Sequence, residues 1–573
     1  MIMVALRAAL PPVVAIAVMC VCSPSSVAQA PPAVPQAATP ATVYPEVLGA
    51  APGETALLPR LKGVALYATA DAAKAGTPGP GITFQGLPLL QTDDFTKLVS
   101  LAAALPASKE SLDRLALATR LYLSGIGYPF SIVYLPPQDI TNGIVRFVVT
   151  VSRLQGEVDV QGARYFAEQQ YRNAIHQVPG QPLNLEQLNA DLDWINRNEY
   201  RAAKATTVAG TEPGTTKILV TTEEKLPLTV TAGADNTGTH VTNENRVNTG
   251  IKWGNAFGLG DTLSAQWATS PDIHTFESVN GSYAIDLPWH HIFTLSGAYS
   301  RTNGVVAAPF SLQGQSWQLD ADYQIPFAPT ASGYTSSLTF GIDFKSSNNN
   351  FLFSTIPVSN TPTAILQARV TYTGGLVSRF GATAFDMTLV GAPGDLLPLN
   401  NDAAFNLSRA NAKADYLYVR GNASQTVPLD NYWSGLSWFA RGKFQLSDHN
   451  LLGSEQFQGG GVNAVRGYNE DAVYKENGIL ISQEIRFPSL KLPNRHLPSQ
   501  VQPFLFQDYA HLQSTVPLPG EKSSDLHGAG IGLTLMVGDN FNLRIAYGWQ
   551  LHYLTTAGNS DHSRFHFSGG FSF

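Results

Sequence analysis

From Pro227 to Phe573 the chain alternates apolar and polar residues in runs of about ten, and Gly, Asn, Asp and Pro separate the runs. One run shows the pattern in full: its apolar residues are Phe541, Leu543, Ile545, Tyr547, Trp549 and Leu551, and the residues between them are Asn542, Arg544, Ala546, Gly548 and Gln550. Successive side chains of a β-strand point to opposite faces of the sheet, so each strand has one apolar face. The pattern predicts an antiparallel β-barrel whose apolar face contacts lipid.

Water-soluble β-sandwiches alternate in the same way, and a sandwich would explain any single strand. Here, however, one face stays apolar in strand after strand up to aromatic ends such as Trp253, Trp267, Tyr299 and Trp549. The last strand has one face of Phe565, Phe567, Phe571 and Phe573 and another of Arg564, His566, Ser568 and Ser572. Aromatic girdles at both membrane interfaces favour the barrel. Transmembrane helices are excluded, because no segment after residue 30 approaches about 18 uninterrupted apolar residues.

The region is long enough for about 16 strands of roughly ten residues, with about half of its length left for connections. The predicted short connections are 254–261, 286–289, 325–329 and 537–540, and the predicted long, polar ones are 346–361, 391–411 and 447–476. Short turns of such barrels face the periplasm and long loops face the outside. We therefore expect a 16-stranded antiparallel transmembrane β-barrel at 227–573.

Residues 1–30 have the pattern of a secretory signal peptide, with Arg7, an apolar core at 13–22 and a small-residue cleavage site at 28–30. A retained anchor would need roughly 20 apolar residues, and prolines flank this core. Residues 31–56 are rich in Pro and Ala, which is typical of an extended linker, and no plug helix is evident in them.

Between the linker and the barrel, the pattern changes to mixed helices and strands. In 57–151 we predict a strand at 61–68, helices at 93–105 and 111–124 and a strand at 144–151. In 152–226 we predict a strand at 156–160, helices at 165–176 and 185–196 and a closing strand at 217–222. Two small α+β modules in tandem result.

Several function classes are excluded or disfavoured. The net charge of −7 and the lack of a basic patch argue against nucleic-acid binding. The sequence has no Walker motif, so nucleotide binding is not expected. Ser316 lacks the second glycine of an esterase elbow, and the neighbours His290 and His291 would point to opposite faces of a strand. Both cysteines, Cys20 and Cys22, lie in the predicted signal peptide. We expect no enzyme activity, no cofactor and no metal site.

The first module carries a recognisable motif. Gly127-Tyr128 is followed by Pro136 and Gln138 in a Leu-Pro-Pro-Gln segment and by Gly143 before a strand. This order resembles the first polypeptide-transport-associated (POTRA) domain of two-partner secretion transporters, the hemolysin secretion/activation family. Tyr128 and Gln138 would either contact a client protein or merely end a helix and begin a strand.

Two groups of barrel residues resemble the same family. They are Asp235, Asn236 and Gly238, and Gly254, Asn255, Gly258, Gly260 and Asp261. Two further motifs resemble those of the larger superfamily of POTRA-bearing barrels: Val465, Arg466, Gly467 and Tyr468, and a later segment with Phe506 and Asp508. The later segment departs from the family at Ala510, where glycine is usual. The resemblance covers about residues 57–573.

The Arg-Gly-Tyr motif falls in the longest predicted loop, after three glycines at 459–461 that let the backbone turn sharply. Asp508 shares strand parity with Phe504 and Phe506. The resemblance implies that the loop enters the barrel and that Arg466 pairs with an inward-facing Asp508. The alternative is that Arg466 is an ordinary solvated loop arginine.

The resemblance also implies a function. The two modules would be periplasmic POTRA domains that capture an unfolded client by strand addition, and the barrel would export it across the outer membrane of a Gram-negative bacterium. The client would be a large secreted β-helical exoprotein, hemolysin-like or adhesin-like, and the barrel would contact the lipid bilayer and lipopolysaccharide. An insertase for other outer-membrane barrels is the alternative, although insertases typically carry more POTRA modules. A passive porin would not need the α+β modules.

Overall fold

The computed structural model describes residues 53–307, 310–330, 333–353, 356–470, 472–492, 498–554 and 561–573. The predicted signal peptide and most of the predicted linker lie outside these ranges. The described chain divides into two compact units, and the boundary along the sequence lies between Leu226 and Pro227. Among the described residues, no helix is long and apolar enough to span a bilayer.

The first module is a four-stranded sheet with helices packed against it. Its strands are β1 (Gly63–Tyr67), β2 (Gly81–Gln85), β3 (Ser131–Tyr134) and β4 (Ile144–Val151), and its helices are α1 (Ala70–Ala75), α2 (Asp93–Ala104) and α3 (Lys109–Gly125). The strand order is β2-β1-β4-β3, with β1 parallel to both neighbours and β3 antiparallel to β4. Ser108 caps α3, and the apolar faces of α2 and α3 bury Phe95, Leu115 and Leu123 against β1 and β4.

The predicted linker ends in contact with this module. Glu54 accepts two hydrogen bonds from the Arg114 guanidinium of α3, at 2.7 and 3.0 Å, and one from Ser108 at 2.6 Å. The main chain of Leu57 bonds that of Ala107. The first residues that the structure describes are therefore already part of the module's surface.

The second module contains β5 (Arg153–Leu154), β6 (Asp159–Gln161), α4 (Glu168–Ala174), α5 (Leu185–Ile195), β7 (Arg201–Ala209) and β8 (Thr215–Glu224). The central strand β8 is parallel to β5 and β6 and antiparallel to β7. Its last residue, Glu224, accepts hydrogen bonds from the main-chain N–H groups of 164–166 and from the Tyr171 hydroxyl.

Two predictions for this module were wrong in detail. The helix predicted at 165–176 begins only at Glu168, because the N–H groups before it bond Glu224 instead of entering a helix. Strand β7 was not predicted, because it alternates small and charged residues rather than apolar ones. It pairs with β8 along its whole length, and tertiary pairing outweighs its weak intrinsic pattern.

Sixteen strand positions close into one antiparallel barrel, as predicted. The strands are β9 (Leu228–Asp235), β10 (Arg246–Trp253), β11 (Thr262–Thr269), β12 (Phe276–Asp286), β13 (Ile292–Ala307), β14 (Phe310–Phe327), β15 (Tyr334–Phe353), β16 (Ile356–Ser378), β17 (Gly381–Pro393), β18 (Asp415–Pro428), β19 (Ser437–Ser447), β22 (Asn477–Arg486), β24 (Ser499–Gln513), β25 (Ser524–Val537), β26 (Phe541–Gln550) and β27 (Ser563–Ser572). The short β23 (Leu490–Leu492) continues β22 along β24, and β27 pairs with β9 to close the ring.

The two faces of the wall differ as the alternation requires. On β24, Leu505 and Tyr509 are exposed on the outside, whereas Phe504, Phe506 and Asp508 are buried towards the lumen. Exposed aromatic residues at the short-turn end include Trp253, Trp289, Phe327, Phe380 and Trp433. Further outward aromatic residues, among them Tyr299, Trp317, Tyr509 and Trp549, lie towards the other end of their strands. The lipid-facing surface and its girdles agree with the predicted barrel.

One predicted loop was wrong. The polar segment 346–361 is not a loop, because β15 and β16 continue as a paired hairpin up to Phe353 and from Ile356. Above the membrane both faces of a strand are hydrated, so polar residues there do not end the strand. The other two long predicted loops are present: one contains helix α6 (Asp402–Ser408), and the other holds the Arg-Gly-Tyr motif.

Candidate functional site

Residues 448–476, which connect β19 to β22, fold back into the barrel, and we call this segment the lumenal loop. A 3₁₀ turn (Gly453–Glu455) begins it, and strands β20 (Phe457–Gln458) and β21 (Tyr474–Lys475) pair within it. Gly461 and Gly467 have φ values of +102° and +98°, which residues with a Cβ rarely adopt. Between these glycines, Val465 is completely buried against lumen-facing residues of β22, β24 and β25.

Arg466 attaches the tip of the loop to the wall. Its Nε and Nη2 donate to the two carboxylate oxygens of Asp508 at 2.7 and 2.8 Å, and its main-chain N–H donates to the same carboxylate at 3.0 Å. Nη1 donates to Glu484 at 2.6 Å, and the guanidinium lies 3.7 Å from the centre of the Phe506 ring. Arg466 is only 3% exposed. The structure therefore brings together the residues of the two predicted motifs.

Ser482 and Glu484 were not predicted to belong to this site. Ser482 lies on β22 opposite Asp508, donates to it at 2.6 Å and accepts from Arg466 at 3.2 Å. Glu484 lies two residues further along the same inward face. Because their strand precedes β24 in the barrel, strand parity on β22 could have identified both residues once Asp508 was placed inside.

Gly467 and Tyr468 complete the attachment through the main chain. The Gly467 N–H donates to His566 on β27 at 3.1 Å, and its carbonyl accepts from Gln550 on β26 at 2.9 Å. The buried Tyr468 hydroxyl accepts from the His527 N–H on β25 at 3.0 Å and also donates to the His552 carbonyl. The tip of the loop thus contacts every strand from β24 to β27.

Two wall glycines make room for this tip, and sequence reasoning missed them. A Cβ on Gly528 would lie 2.0 Å from the Arg466 carbonyl oxygen, and one on Gly548 would lie 2.6 Å from the Gly467 nitrogen. Both glycines occupy inward positions, Gly528 on β25 and Gly548 on β26. The loop's backbone packs directly against the backbone of β25 and β26.

A second attachment lies at the start of the loop. Glu455 is 3% exposed and accepts from Lys345 of β15 at 2.7 Å, from Tyr418 of β18 at 2.9 Å and from Gln367 of β16 at 3.2 Å. No sequence motif marks these residues. The loop is therefore fixed to two separate parts of the wall, one around Arg466 and one around Glu455.

Substitution of Glu455 by glutamine tests the second attachment. The variant leaves the Lys345 ammonium without its carboxylate in a site of low solvent access, which is costly. We expect the loop to leave this part of the wall and the open-state current in planar bilayers to rise, while heat-modifiable mobility shows an intact barrel. Glu277→Gln, on the barrel wall with a partner, Arg301, that is 42% exposed, is the control. Identical currents for Glu455→Gln and the native protein would contradict a restraining role.

The outer ends of three connections are tied together by charges. Arg409, just after α6, donates to Glu476 at 3.1 Å, and Lys475 bonds Glu521 in the connection between β24 and β25. Partial burial raises the pKa of Glu521, but hydrogen bonds from Lys475, Ser514 and the Leu518 N–H outweigh it and bring the pKa down to about 2. This tie therefore keeps its charges at neutral and mildly acidic pH.

The remaining barrel motif residues lie elsewhere and shape the backbone. The Asn236 amide donates to the Phe565 carbonyl at 2.6 Å and accepts from the Phe567 N–H at 2.9 Å, which fastens the seam between β9 and β27. Asp235 accepts from the Thr237 N–H at 3.0 Å, and a Cβ on Gly238 would lie 2.1 Å from the Asn243 carbonyl oxygen.

The motif between β10 and β11 forms a tight turn. Asp261 is fully buried and accepts from the main-chain N–H groups of Phe257 and Leu259 at 3.2 Å each. Asn255 accepts from the Gly260 N–H at 2.9 Å, and Gly258 and Gly260 both have positive φ. These contacts hold the turn's shape, and none of them involves the lumenal loop.

The motif residues of the first module make contacts within the α+β unit. Gly127 has a φ of +93°, and a Cβ there would lie 2.5 Å from the Asn184 side chain; Gly143 has a φ of +83°. Gln138 exchanges two hydrogen bonds of 2.7 Å with the main chain of Arg146 and also donates to the Pro136 carbonyl. Tyr128 packs against the module's core. Tyr128 and Gln138 therefore take part in the module's own packing and strand geometry, and a contact with the client stays a prediction.

The α+β unit has unpaired strand edges. In the described residues, β2 and β3 at the two ends of the first sheet and β7 in the second sheet each pair with one strand only. Ile132 on β3 is 61% exposed. A groove of about 260 Å³ lies beside β3, lined by Pro129, Phe130, Ser131, Ile132, Thr150, Ser152, Gly214 and Thr215. An extended peptide could add to this edge and place a side chain in the groove.

Comparison with known families agrees with this architecture. The profile of the haemolysin secretion/activation proteins ShlB/FhaC/HecB matches residues 214–535, and that of the ShlB-type POTRA domain matches residues 80–151. The chain belongs to the ShlB/FhaC/HecB family. The first match contains both halves of the Arg466 and Asp508 contact. The first module therefore contains a POTRA domain, and the assignment of the second module as another stays a prediction.

Individual relatives are distant. The outer membrane transporter CdiB of Dickeya dadantii (strain 3937) is 22% identical over 443 residues, which cover 74% of each chain. CdiB of Escherichia coli O6:K15:H31 is 21% identical over 383 residues, which cover 64% of this chain and 61% of that one. In fold, CdiB from Escherichia coli aligns with a TM-score of 0.72, covering 93% of both chains at 17% identity.

A second solved structure is less similar in fold. BamA from Haemophilus ducreyi lacking POTRA domains 1–3 aligns with a TM-score of 0.53 at 14% identity, covering 82% of this chain and 95% of that one. The family match therefore favours the transporter over the insertase. The chain is an outer-membrane translocation pore of two-partner secretion, with periplasmic POTRA domains and a secreted exoprotein as partner. Because β9 directly follows the POTRA domains in sequence, the short-turn end of the barrel is the periplasmic end.

Proposed function

We propose that the lumenal loop closes this pore and that the exoprotein displaces it during export. The observation that carries the proposal is the buried contact of Arg466 with Asp508 and Glu484 inside the barrel. Deleting one partner of such a buried pair is costly, because the other charge stays buried without compensation. When the intact loop instead leaves the wall, water in the lumen can solvate both charges. The contacts can therefore hold the loop at rest and still break when a client competes for the lumen.

Client capture belongs to the POTRA domains in this proposal. An unfolded polypeptide adds as a strand to the open edge of β3, and main-chain hydrogen bonds supply affinity without requiring one sequence. The adjoining groove selects an apolar side chain of the client. The client is a β-helical exoprotein, hemolysin-like or adhesin-like, and the barrel's aromatic girdles sit at the interfaces of a membrane that contains lipopolysaccharide.

Ile132→Lys is expected to weaken capture. The substitution keeps β3 in place but puts a charge at the edge where an apolar client segment would lie. In binding of the full-length protein to the N-terminal part of the exoprotein, we expect the affinity to fall roughly tenfold, or about 1.4 kcal/mol. Leu117→Lys, at a 46% exposed position on α3, is the matched control and should bind normally. Equal loss of affinity in both variants would argue against the β3 edge.

A further inference from the structure

The lumen wall carries a cluster of basic side chains around the tip of the lumenal loop, which we call the basic zone. Its wall residues are Arg441 and Lys443 on β19, Arg486 on β22 and Arg544 on β26. Lys443 donates to the Asn463 carbonyl of the loop at 3.2 Å, and Arg544 lies over the lumen-facing Phe504 ring at 4.1 Å. Arg441 occupies the same face of β19 as Lys443, because two residues separate equivalent positions on a strand.

The zone holds more positive than negative charge. Glu484 contacts Arg486, Arg544 and the loop's Arg466, and Asp508 contacts Arg466. Arg441 and Lys443 form no ion pair in the described part of the chain. Five cationic groups thus share two carboxylates, which leaves an excess of three positive charges. Asp386 on β17, the carboxylate that acts on Lys443 at longer range, and Arg420 on β18 face the same lumen, and together they add no net charge.

The excess persists when the loop leaves. Arg466 belongs to the loop and moves away with it, whereas the four basic wall residues remain beside Glu484 and Asp508. Two uncompensated positive charges are then left on the wall. A channel lined by one sign of charge attracts ions of the opposite sign, because the surrounding low-dielectric wall concentrates the field. The lumen is therefore electropositive here in the closed and the open pore.

We propose that the basic zone binds the carboxylate side chains of the exoprotein as it passes, so that Arg441 and Lys443 form transient ion pairs with acidic segments of the extended client. This inference rests on the pore function stated above. Both groups are partly exposed to the lumen, so each pair is weak and screened by salt. Weak, repeated binding lets a chain enter and move on, whereas one tight site would stall it.

The charge preference can be tested without a client. The full-length double variant Arg441→Gln/Lys443→Gln would be compared with the native protein in planar bilayers under a KCl gradient. We expect the native pore to prefer chloride, and its chloride-to-potassium permeability ratio to be about threefold higher than that of the double variant. Arg379→Gln/Lys522→Gln removes two positive charges from exposed turns outside the lumen and should leave the ratio unchanged. Equal ratios in all three proteins would overturn the proposal.

Binding of a peptide gives a second readout that needs no open channel. Fluorescein-labelled deca-glutamate would be titrated with the detergent-solubilised full-length proteins at low salt, with anisotropy as the signal. We expect the Arg441→Gln/Lys443→Gln variant to bind about tenfold more weakly than the native protein, and the control variant to bind normally. Equal affinity of the lumenal double variant and the native protein would overturn the proposal. If a variant lost export in cells but kept the native permeability ratio and the native peptide affinity, the result would concern the pore function and not the basic zone.

Discussion

Replacement of Arg466 by alanine is expected to reduce exoprotein export at least about tenfold while the barrel still inserts into the outer membrane. The substitution leaves the buried Asp508 carboxylate without its guanidinium, whereas Glu484 keeps Arg486 and Arg544. Loss of one partner of such a buried pair typically costs about 3–5 kcal/mol. The loop then loses its fixed place and obstructs the lumen in many positions instead of one. Export is measured as exoprotein in the medium, and insertion as heat-modifiable mobility of the barrel.

Arg379→Ala is the matched control, because it removes an arginine from an exposed periplasmic turn. Arg466→Lys should remain impaired, since an ammonium cannot bond Asp508 at two points and Glu484 at the same time. Exchange of the charges between positions 466 and 508 should not restore export, because an aspartate at 466 would face Glu484. Native export levels from Arg466→Ala would refute the assigned role of the contact.

Gly528→Ala is the second substitution for which we expect a large effect. Its Cβ would lie 2.0 Å from the Arg466 carbonyl oxygen, which is a main-chain atom that cannot rotate away. The loop tip must therefore shift, and the bonds from Arg466 to Asp508 must lengthen or break. We expect the variant to resemble Arg466→Ala, with export reduced roughly tenfold and an inserted barrel, because a displaced buried pair carries a similar cost.

Gly453→Ala provides the control for this variant. A Cβ on Gly453 would meet no atom within 4 Å, although the residue belongs to the same loop. Its export should equal that of the native protein. If Gly528→Ala exports normally and Arg466 still contacts Asp508 in its structure, the close packing of the loop against β25 does not matter for function.

The barrel and the Arg466 contact could be predicted from the sequence for different reasons. The period of two is a physical consequence of strand geometry, and it reports which face of each strand meets lipid. The shared parity of Asp508 with Phe504 and Phe506 followed from the same rule, whereas its inward orientation and its pairing with Arg466 came from family resemblance. Prediction of the lumenal loop needed both strand parity and family resemblance, because the residues of a loop follow no regular period.

The second attachment could not be predicted in this way. Glu455 meets Lys345, Gln367 and Tyr418 across more than 35 residues of sequence in each case, and no local pattern reports which strands face a loop. The two wall glycines were missed because glycine in a strand has several explanations, including a bulge or a simple gap. The hairpin at 346–361 was predicted to be a loop because its residues are polar. Beyond the membrane, however, water hydrates both faces of a strand, so polar residues there do not indicate a loop.

Both attachments support a single view of the resting pore. The loop contacts β24 to β27 through its tip and β15, β16 and β18 through Glu455, so its removal requires release from two parts of the wall. Either attachment alone would leave the rest of the loop free to move within the lumen. In the proposed cycle, the two attachments keep the wide barrel closed between export events, and one client releases both.

Accessibility of residue 465 tests this account most directly. In Val465→Cys the new thiol lies at a completely buried position of the loop, and the chain's own cysteines both lie within residues 1–30. The account predicts no labelling by a membrane-impermeant maleimide in cells without exoprotein, and rapid labelling once the exoprotein is exported. Val516→Cys, at a 44% exposed extracellular position, should label in both conditions. Labelling of Val465→Cys at rest, or protection throughout export, would contradict a loop that closes the pore and leaves it for the client.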